Sequence, residues 1–409
     1  MMGYRVCIVR QGSFNDVRVR KEALALLSKG YEVDLICVGK KNEKKRECRN
    51  GVNIYRILMK RSREGILRYL YEYLSFFCLV SIKLCLLYLR KRYDFIQVNT
   101  LPDFLVFATI IPKIFKAKVI LDLHEPAPEL FSTIFGTDKK ILIKLITFFE
   151  KISIRYADRV ITVSERMKNN YIRRGASPSK IDVILNVPNL EFNFDLYEED
   201  SQRSDGRLLV VCHGAILKRY GQDTLIKAIK IVKDEIPGIQ CNILGCGEYE
   251  DALKNLASKL NLNNWIRFCG FIPYLDMVKM IATCDIGIVP IRKNSYSDLV
   301  HTNKMFEFIA MKRPVIISRT KAVEDFFGSD DCCLKYFESG DEKGLAQCII
   351  ELYHNPDKRK IMASSAFAKF ESVHWEKSKE VYCNIYKKLL TNKKNTSLLS
   401  PVSDNIFKP

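Results

Sequence analysis

Short apolar runs rich in β-branched residues alternate with longer helical patterns along most of this 409-residue chain. This alternation is typical of parallel βαβ units, in which a helix follows each strand and crosses back over the sheet. Helices are predicted between the strands, for example over 16–29 and 139–156. The predicted strands are 4–10, 32–38, 95–99, 118–123, 159–163 and 182–185, then 207–213, 239–244, 265–269, 286–289 and 315–318.

The alternation is interrupted once. Residues 191–206 (EFNFDLYEEDSQRSDG) are acidic and polar and have no regular period, which predicts a linker. The sequence therefore predicts two doubly wound, Rossmann-like α/β domains, residues 1–190 and 207–372, with a ligand cleft between them. Residues 373–391 are predicted to form a last helix, with an apolar side made of Trp375, Val381, Ile385 and Leu389. Residues 392–409 are predicted to be a flexible tail.

Composition restricts the partners. The formal charge of +19 favours an anionic partner such as a nucleotide, an anionic membrane or a nucleic acid, or else reflects a basic solvated surface. Fourteen cysteines without a CxxC pair indicate a reducing compartment, and five scattered histidines complete no zinc spacing. The first residues lack the pattern of a signal peptide, so a cytoplasmic location is expected.

Two turns in the first half are candidate ligand contacts. Gly12 follows the first strand, where it would let the backbone and a helix N-terminus approach a phosphate. A plain turn would have the same sequence. His124 stands between Asp122 and Glu125 at the carboxyl end of a strand, where open α/β sheets place ligand groups. It is a candidate hydrogen-bond donor to a ligand hydroxyl, and the alternative is a buried histidine with internal partners.

Two glycine turns follow strands of the second half. Gly214 and Gly221 frame a turn that contains Lys218 and Arg219. Backbone amides and fixed cations suit a pyrophosphate and can stabilise it as a leaving group without a metal ion. A further turn of this kind contains Gly245 and Gly247.

A helix start in the second half carries polar residues. Thr302, Asn303 and Lys304 precede an apolar helical side, and Glu307 points away from that side. A carboxylate in this position can accept hydrogen bonds from both hydroxyls of a ribose. Taken alone, Glu307 would be interpreted as a solvated residue favoured by the helix dipole.

Taken in their order along the chain, these turns and helix starts resemble those of glycosyltransferase family four, in the branch with an Asn-Lys-x-x-Glu helix. The resemblance implies the GT-B fold, in which two Rossmann-like domains face a central cleft and a C-terminal helix crosses back. It also implies a retaining, metal-independent hexosyltransferase that needs no cofactor. Such an enzyme takes its sugar from a nucleotide-diphosphate sugar. The matching segments are 17–23, 156–165, 186–189, 214–221, 245–247, 285–290 and 303–314.

The expected acceptor is a glycan or lipid-linked glycan in cell-surface polysaccharide biosynthesis, and no nucleic-acid partner is expected. By the resemblance, His124 lies beside the transferred sugar, Arg219 and Lys304 bind the pyrophosphate, and Glu307 binds the donor ribose. His124, Arg219 and Glu307 are the predicted catalytic residues. The predicted donor-binding residues are Gly12, Gly214, Lys218, Arg219, Gly245, Gly247, Thr302, Asn303, Lys304 and Glu307.

The chain departs from the family pattern at two positions. Leu299 stands where many members have a second glutamate that touches the sugar. Tyr220 stands where a basic residue usually precedes Gly221, which leaves open whether Lys218 or Arg219 contacts the pyrophosphate. A nucleotide-sugar epimerase or a phosphorylase of the same architecture, and a catalytically silent nucleotide-sugar-binding subunit, remain alternative functions.

One stretch indicates either a membrane surface or a core helix. Residues 73–89 are apolar and aromatic, and Arg and Lys flank them within 61–92. This composition suits a helix that lies in the interface of an anionic membrane, and it equally suits a buried helix. Lys83 and the length of the stretch argue against a spanning helix. A peripheral position on the cytoplasmic face is therefore the expectation if the stretch meets lipid.

Overall fold

The computed structural model describes residues 3–14, 16–59, 65–136, 139–188 and 207–397. The first domain contains an eight-stranded sheet in the order β3-β4-β2-β1-β5-β6-β7-β8, in which β3 pairs antiparallel to β4 and every other pair is parallel. Its strands are β1 (Arg5–Arg10), β2 (Glu32–Gly39), β3 (Arg46–Arg49), β4 (Val52–Leu58), β5 (Phe95–Asn99), β6 (Lys118–Leu123), β7 (Arg159–Thr162) and β8 (Ile181–Val183).

The second domain contains a six-stranded parallel sheet in the order β11-β10-β9-β12-β13-β14. The strand order reverses between β9 and β12, and crevices for ligands form at such switch points beyond the carboxyl ends of the strands. Its strands are β9 (Leu209–His213), β10 (Gln240–Leu244), β11 (Ile266–Gly270), β12 (Ile286–Val289), β13 (Val315–Ser318) and β14 (Lys335–Phe337).

Helices cover both faces of each sheet. The first domain has α1 (Val17–Ser28), α2 (Gly65–Lys91), α3 (Ile110–Ile114), α4 (Ala127–Phe135), α5 (Lys140–Tyr156) and α6 (Glu165–Arg173). The second has α7 (Gln222–Glu235), α8 (Glu250–Lys259), α9 (Tyr274–Ala282), α10 (Asn303–Ala310), α11 (Lys321–Phe327), α12 (Glu342–His354) and α13 (Pro356–Glu371), followed by α14 (Trp375–Ser397). Short 3-10 helices span Asp103–Thr109, Pro178–Lys180 and Lys218–Tyr220.

The predicted fold of two doubly wound domains is confirmed, and each predicted strand is present with ends within three residues. Three strands were missed. β3 is short, charged and mostly exposed, so it lacks an apolar pattern. β14 has only three residues. β4 does alternate, with Val52 and Ile54 buried, so its signal was present in the sequence.

The last helix packs against the first domain, as predicted for a helix that crosses back. Tyr386 lies 5.2 Å from Phe95, ring centroid to ring centroid, and both belong to the core beside α1. The predicted apolar side was partly wrong, because Val381 is 51% exposed whereas Tyr382 is buried. The helix continues to Ser397, beyond the predicted boundary at residue 391. The predicted linker 191–206 and residues 398–409 lie outside the described residues.

Helix α2 has one buried side and one exposed apolar side. Phe76, Val80 and Leu84 are fully buried in the core of the first domain, while Leu67 is 83% and Ile82 is 62% exposed. The helix has 27 residues and so extends beyond the apolar stretch 73–89, whose length was expected to fall short of a membrane span. Among the described helices, it is the one whose length and composition would suffice to cross a membrane; 28% of its apolar stretch is buried.

A loop of the second domain enters the core of the first. Leu299 is 7% exposed and packs, with Val300, in the cluster formed by β5, β6 and α2. Ser164, at the start of α6, donates to the Leu299 carbonyl over 2.5 Å. The loop between β12 and α10 therefore joins the two domains on one side of the cleft.

Candidate active site

A cavity of about 280 Å³ lies between the domains. It is at the carboxyl end of β6 on one side and at the switch point between β9 and β12 on the other. The first domain contributes His124, Glu125, Val163 and Asn186. The second contributes Arg219, Tyr220, Ile291, Arg292, Asn294, Tyr296, Ser297, Val300, His301, Thr302, Asn303 and Lys304.

Two cations and a tyrosine form one wall. The Lys304 ammonium lies 3.5 Å from the centroid of the Tyr220 ring, and the Arg219 guanidinium carbon lies 5.0 Å from it. Arg219 Nε is buried and has no hydrogen-bond partner among the described residues. Lys218 is exposed and does not line the cavity, so Arg219 is the better placed of the two for an anion. Arg292 is already paired with Asp223.

The N-terminus of α10 adds to this positive wall. The helix begins at Asn303, and the capping residue Thr302 makes no side-chain hydrogen bond to the first turn. Amide groups of a first helical turn have no partner within the helix and favour negative charge. With Thr302, Asn303 and Lys304 lining the cavity, this end of α10 is suited to bind a phosphate.

Glu307 lies one turn further along α10, outside the cavity lining. Its side chain is 18% exposed, and its Oε2 is 3.5 Å from Nε2 of His213. Burial raises the pKa of Glu307 to about 7, although the charges of Lys304 and Lys21 act in the opposite direction. Burial also lowers the pKa of His213 to about 3, so the imidazole is neutral and Glu307 keeps its capacity to accept.

His124 is held by a buried carboxylate. Its Nε2 lies 2.7 Å from Oδ2 of Asp122, and burial lowers its pKa. The Asn99 amide also donates to this oxygen. A neutral imidazole that donates from Nε2 to Asp122 leaves Nδ1 as an acceptor. In this tautomer the free ring nitrogen accepts rather than donates, and the role of His124 toward a sugar hydroxyl stays a prediction.

Asp122 belongs to a buried ionic cluster. Arg18 binds Asp122 and Glu22, each over 3.0 Å, and all three side chains are almost fully buried. Burial alone would raise the pKa of Asp122, but Arg18 and His124 outweigh it and hold that pKa well below its usual range. Glu22, Asp122 and His124 are close enough together to hold a metal ion, yet the Arg18 guanidinium already occupies the position between the carboxylates. This cluster therefore orients His124.

The glycines in the turns after β9 and β10 allow close contacts between backbone segments. A Cβ on Gly245 would lie 2.0 Å from the Gly214 carbonyl oxygen, and a Cβ on Gly247 would lie 2.1 Å from the carbonyl of Ile216. The turns after β9 and β10 thus lie directly against each other. A Cβ on Gly214 itself would lie 2.3 Å from Cε of Lys304, so this glycine makes room for the lysine.

The turn at Gly12 is already filled. The side chain of Arg10 lies over it, with Nε 3.1 Å from the place of a Gly12 Cβ, and Arg10 pairs with Asp16 over 3.0 Å. The Asp16 side chain accepts from the amides of Arg18 and Val19 and so caps α1. The expected anion site at this helix N-terminus is therefore occupied by a carboxylate, and Gly12 does not line the cavity.

The structure brings five predicted residues together in the cavity, namely His124, Arg219, Thr302, Asn303 and Lys304. Glu307 and Gly214 lie directly behind this wall. The main omission was Tyr296, whose hydroxyl donates to Glu125 Oε2 over 2.5 Å and bridges the domains inside the cavity. A single tyrosine in an irregular polar loop gives no periodic signal that could have identified it.

The fold and the site define a class. Two facing doubly wound domains, with a positively charged wall in the cleft between them, form the GT-B glycosyltransferase architecture. Residues 17–192 match the family described as Glycosyltransferase Family 4, and residues 193–369 match Glycosyl transferases group 1. The chain belongs to the family 4 glycosyltransferases of GT-B type.

Curated relatives are similar over part of the chain. A GDP-mannose-dependent monoacylated alpha-(1-6)-phosphatidylinositol monomannoside mannosyltransferase from Corynebacterium glutamicum is 28% identical over 51% of this chain and 54% of its own length. The lipopolysaccharide core biosynthesis glycosyltransferase LpsE from Rhizobium meliloti is 26% identical over 45% of this chain and 50% of its own. The matches span about half the length of these two relatives.

Solved structures show the same fold at low sequence identity. Sucrose-phosphate synthase from Thermosynechococcus elongatus superimposes with a TM-score of 0.75 at 17% identity, over 95% of this chain and all of that one. The catalytic domain of starch synthase IV from Arabidopsis thaliana, bound to ADP and acarbose, gives a TM-score of 0.68 at 14% identity, over 95% and 99% of the two chains.

Proposed function

We propose that this protein transfers a sugar from a nucleotide-diphosphate sugar to a glycan or lipid-linked glycan acceptor, with retention of anomeric configuration. The observation that carries the proposal is the cavity between the carboxyl end of β6 and the switch point between β9 and β12. Arg219, Lys304 and the α10 N-terminus lie on one side of it, and His124 lies on the other. A nucleoside diphosphate leaving group gains negative charge as the sugar bond breaks, and fixed donors in a dry site stabilise that charge.

Each part of the site has a role in this reaction. Arg219 and Lys304 bind the pyrophosphate, and the open amides of α10 add hydrogen bonds to it. Glu307, behind the same helix end, accepts from the ribose hydroxyls. His124 Nδ1 accepts from a hydroxyl of the transferred sugar, while Asp122 keeps the ring oriented. The names of the relatives, a GDP-mannose-dependent mannosyltransferase and a lipopolysaccharide glycosyltransferase, support a role in cell-surface glycan or glycolipid synthesis.

The test is release of nucleoside diphosphate from a panel of UDP-, GDP- and ADP-sugars, with and without membrane-derived acceptors. Lys304→Met should weaken nucleoside diphosphate binding by roughly tenfold or more, because charge-assisted hydrogen bonds to the pyrophosphate are lost. Lys218→Met is the matched control, since Lys218 is exposed outside the cavity, and it should retain wild-type affinity. Equal effects of the two variants, or no turnover of any donor, would contradict the proposal.

We also propose that turnover needs no metal ion. The cavity wall carries Arg219 and Lys304 for the pyrophosphate, and its carboxylate Glu125 is engaged by Tyr296. Donor turnover should therefore survive treatment with a chelator. Loss of activity in EDTA that returns with Mg²⁺ or Mn²⁺ would refute this part.

We further propose that the first domain docks on the cytoplasmic face of an anionic membrane, where a lipid-linked acceptor lies. Seventeen of the 25 exposed large apolar side chains among the described residues fall between residues 67 and 148. They come from α2, α4, α5 and residues 110–115 at α3. Aromatic rings link these helices, since Phe104 lies 5.8 Å from both Phe77 and Phe149. Lys140 and Lys144 are exposed on α5 beside Ile141, which is 84% exposed.

Such a surface combines apolar insertion with attraction to anionic lipid. The protein should co-sediment with anionic vesicles at low salt, and less at high salt because surface charges are screened over about 8–10 Å. Ile141→Ser should reduce binding. Phe271→Ser is the control, because Phe271 is 78% exposed but lies on the second domain. Recovery of the wild type in the supernatant with anionic vesicles at low salt would refute membrane docking.

A further inference from the structure

Tyr220 lies between the two cations of the cavity wall. The Lys304 ammonium is 3.5 Å from the ring centroid, and the Arg219 guanidinium carbon is 5.0 Å from it. All three side chains line the cavity. The electron-rich face of an aromatic ring attracts a cation within about 6 Å, and the attraction grows when water is excluded.

The charged form of Lys304 is disfavoured by its surroundings. Burial, together with the positive charge of Arg219, lowers the pKa of Lys304 to about 8. The charges of Cys212 and Glu307 raise the pKa of Lys304 and so limit this shift. The neighbouring His213 lies 3.3 Å from the backbone carbonyl of Lys304, away from its ammonium group. The Tyr220 ring contacts the ammonium directly, with the nitrogen 3.5 Å from the ring centroid, and so favours its charged form.

Backbone contacts on both sides of Tyr220 fix the position of its main chain. Gly221 has a φ of +65°, and a Cβ there would lie 1.9 Å from the Pro290 carbonyl oxygen, so the chain after Tyr220 passes directly against the end of β12. On the other side, the amide of Arg292 donates to the Arg219 carbonyl over 3.0 Å. These backbone contacts do not involve the side chain of residue 220, so they should keep this residue at the cavity edge in Tyr220 variants as well.

We propose that Tyr220 is a positioning residue, whose ring keeps the Lys304 ammonium charged and directed at the donor pyrophosphate. This inference rests on the proposed function. It explains how a tyrosine can stand where the family pattern has a basic residue, because the ring organises the two existing cations instead of supplying a third. Gly214 completes the arrangement by leaving room for the Lys304 stem.

The test compares Tyr220→Leu with Tyr220→Phe, which keeps the ring. Calorimetry with GDP and UDP is run across pH 6 to 10. In the wild type, affinity should fall as the pH rises through about 8, because Lys304 loses its proton. Tyr220→Leu should move this midpoint down by about one pH unit, which lowers the charged fraction of Lys304 at pH 7.5 and weakens binding there by roughly threefold. Tyr220→Phe should follow the wild type.

A purely structural role would weaken binding without moving the midpoint, and that result would overturn the proposal, as would identical midpoints in the Leu and Phe variants. A second readout needs no nucleotide. The pH dependence of Lys304 acetylation by acetic anhydride, measured by mass spectrometry, reports the lysine pKa directly. If neither nucleotide binds the wild type, the proposed function fails, while the acetylation profiles still decide whether Tyr220 stabilises the ammonium.

Discussion

Gln97, on β5, connects the last helix to the site. The side chain is fully buried. Its amide nitrogen donates to Oε2 of Glu22 over 2.8 Å and to Oδ1 of Asn99 over 3.0 Å. Its oxygen accepts from the hydroxyls of Tyr382 over 2.8 Å and Tyr386 over 2.5 Å. Asn99 in turn donates to the Asp122 carboxylate, which contacts His124 in the cavity.

Gln97→Met removes all four hydrogen bonds while nearly conserving volume, so it leaves no cavity. A hydrogen bond contributes about 1 kcal/mol net, and each buried group left without a partner costs more. Some compensation remains, because the hydroxyls of Tyr382 and Tyr386 are 3.1 Å apart and can bond to each other. We therefore expect a loss of roughly 3–5 kcal/mol in the free energy of unfolding.

Urea unfolding, followed by fluorescence and circular dichroism, measures this loss. Tyr382→Phe and Tyr386→Phe should each cost about 1 kcal/mol. Gln240→Met is the matched control, since Gln240 is an exposed strand glutamine of the other sheet, and it should stay within about 0.5 kcal/mol of the wild type. A cost below about 1 kcal/mol for Gln97→Met would refute the reasoning. It would mean that the four hydrogen bonds stabilise the folded protein no more than water stabilises the same groups in the unfolded chain.

Three further predictions concern the cleft. Burial raises the pKa of Glu307 to about 7, so its carboxylate charge is present above that pH and lost below it. Nucleoside diphosphate affinity, measured by calorimetry, should therefore fall as the pH drops through about 7, on the acidic side of the fall expected from Lys304, and Glu307→Gln should remove this acidic fall. Gly221→Ala should destabilise the second domain by at least about 1 kcal/mol in urea unfolding, because its Cβ would meet the Pro290 carbonyl. Leu299→Glu should cost about 3 kcal/mol by burying a carboxylate in the core of the first domain, whereas Leu299→Met should cost under about 1.5 kcal/mol. An equal cost for these two Leu299 variants would contradict the packing.

The sequence by itself determined the two-domain architecture. The strands next to the site are buried on both faces of their sheets, and such strands are short continuous apolar runs. A run of this kind is visible in a single sequence, so these strands could be predicted. It also indicated most residues of the positively charged cavity wall. Arg219, Thr302, Asn303 and Lys304 each follow a strand or begin a helix, and the carboxyl ends of parallel strands meet at one edge.

Only the tertiary structure decided how these residues act. The orientation of His124 depends on Asp122, which pairs with Arg18 from another element, 104 residues away in the chain. The pairing of Tyr220 with Lys304 and the insertion of Leu299 into the other domain depend on how sheet and domain surfaces meet. Such contacts join residues far apart in sequence, so no local period reports them. The physical reason is that register and domain packing, rather than propensity, bring these side chains within a few ångströms of each other.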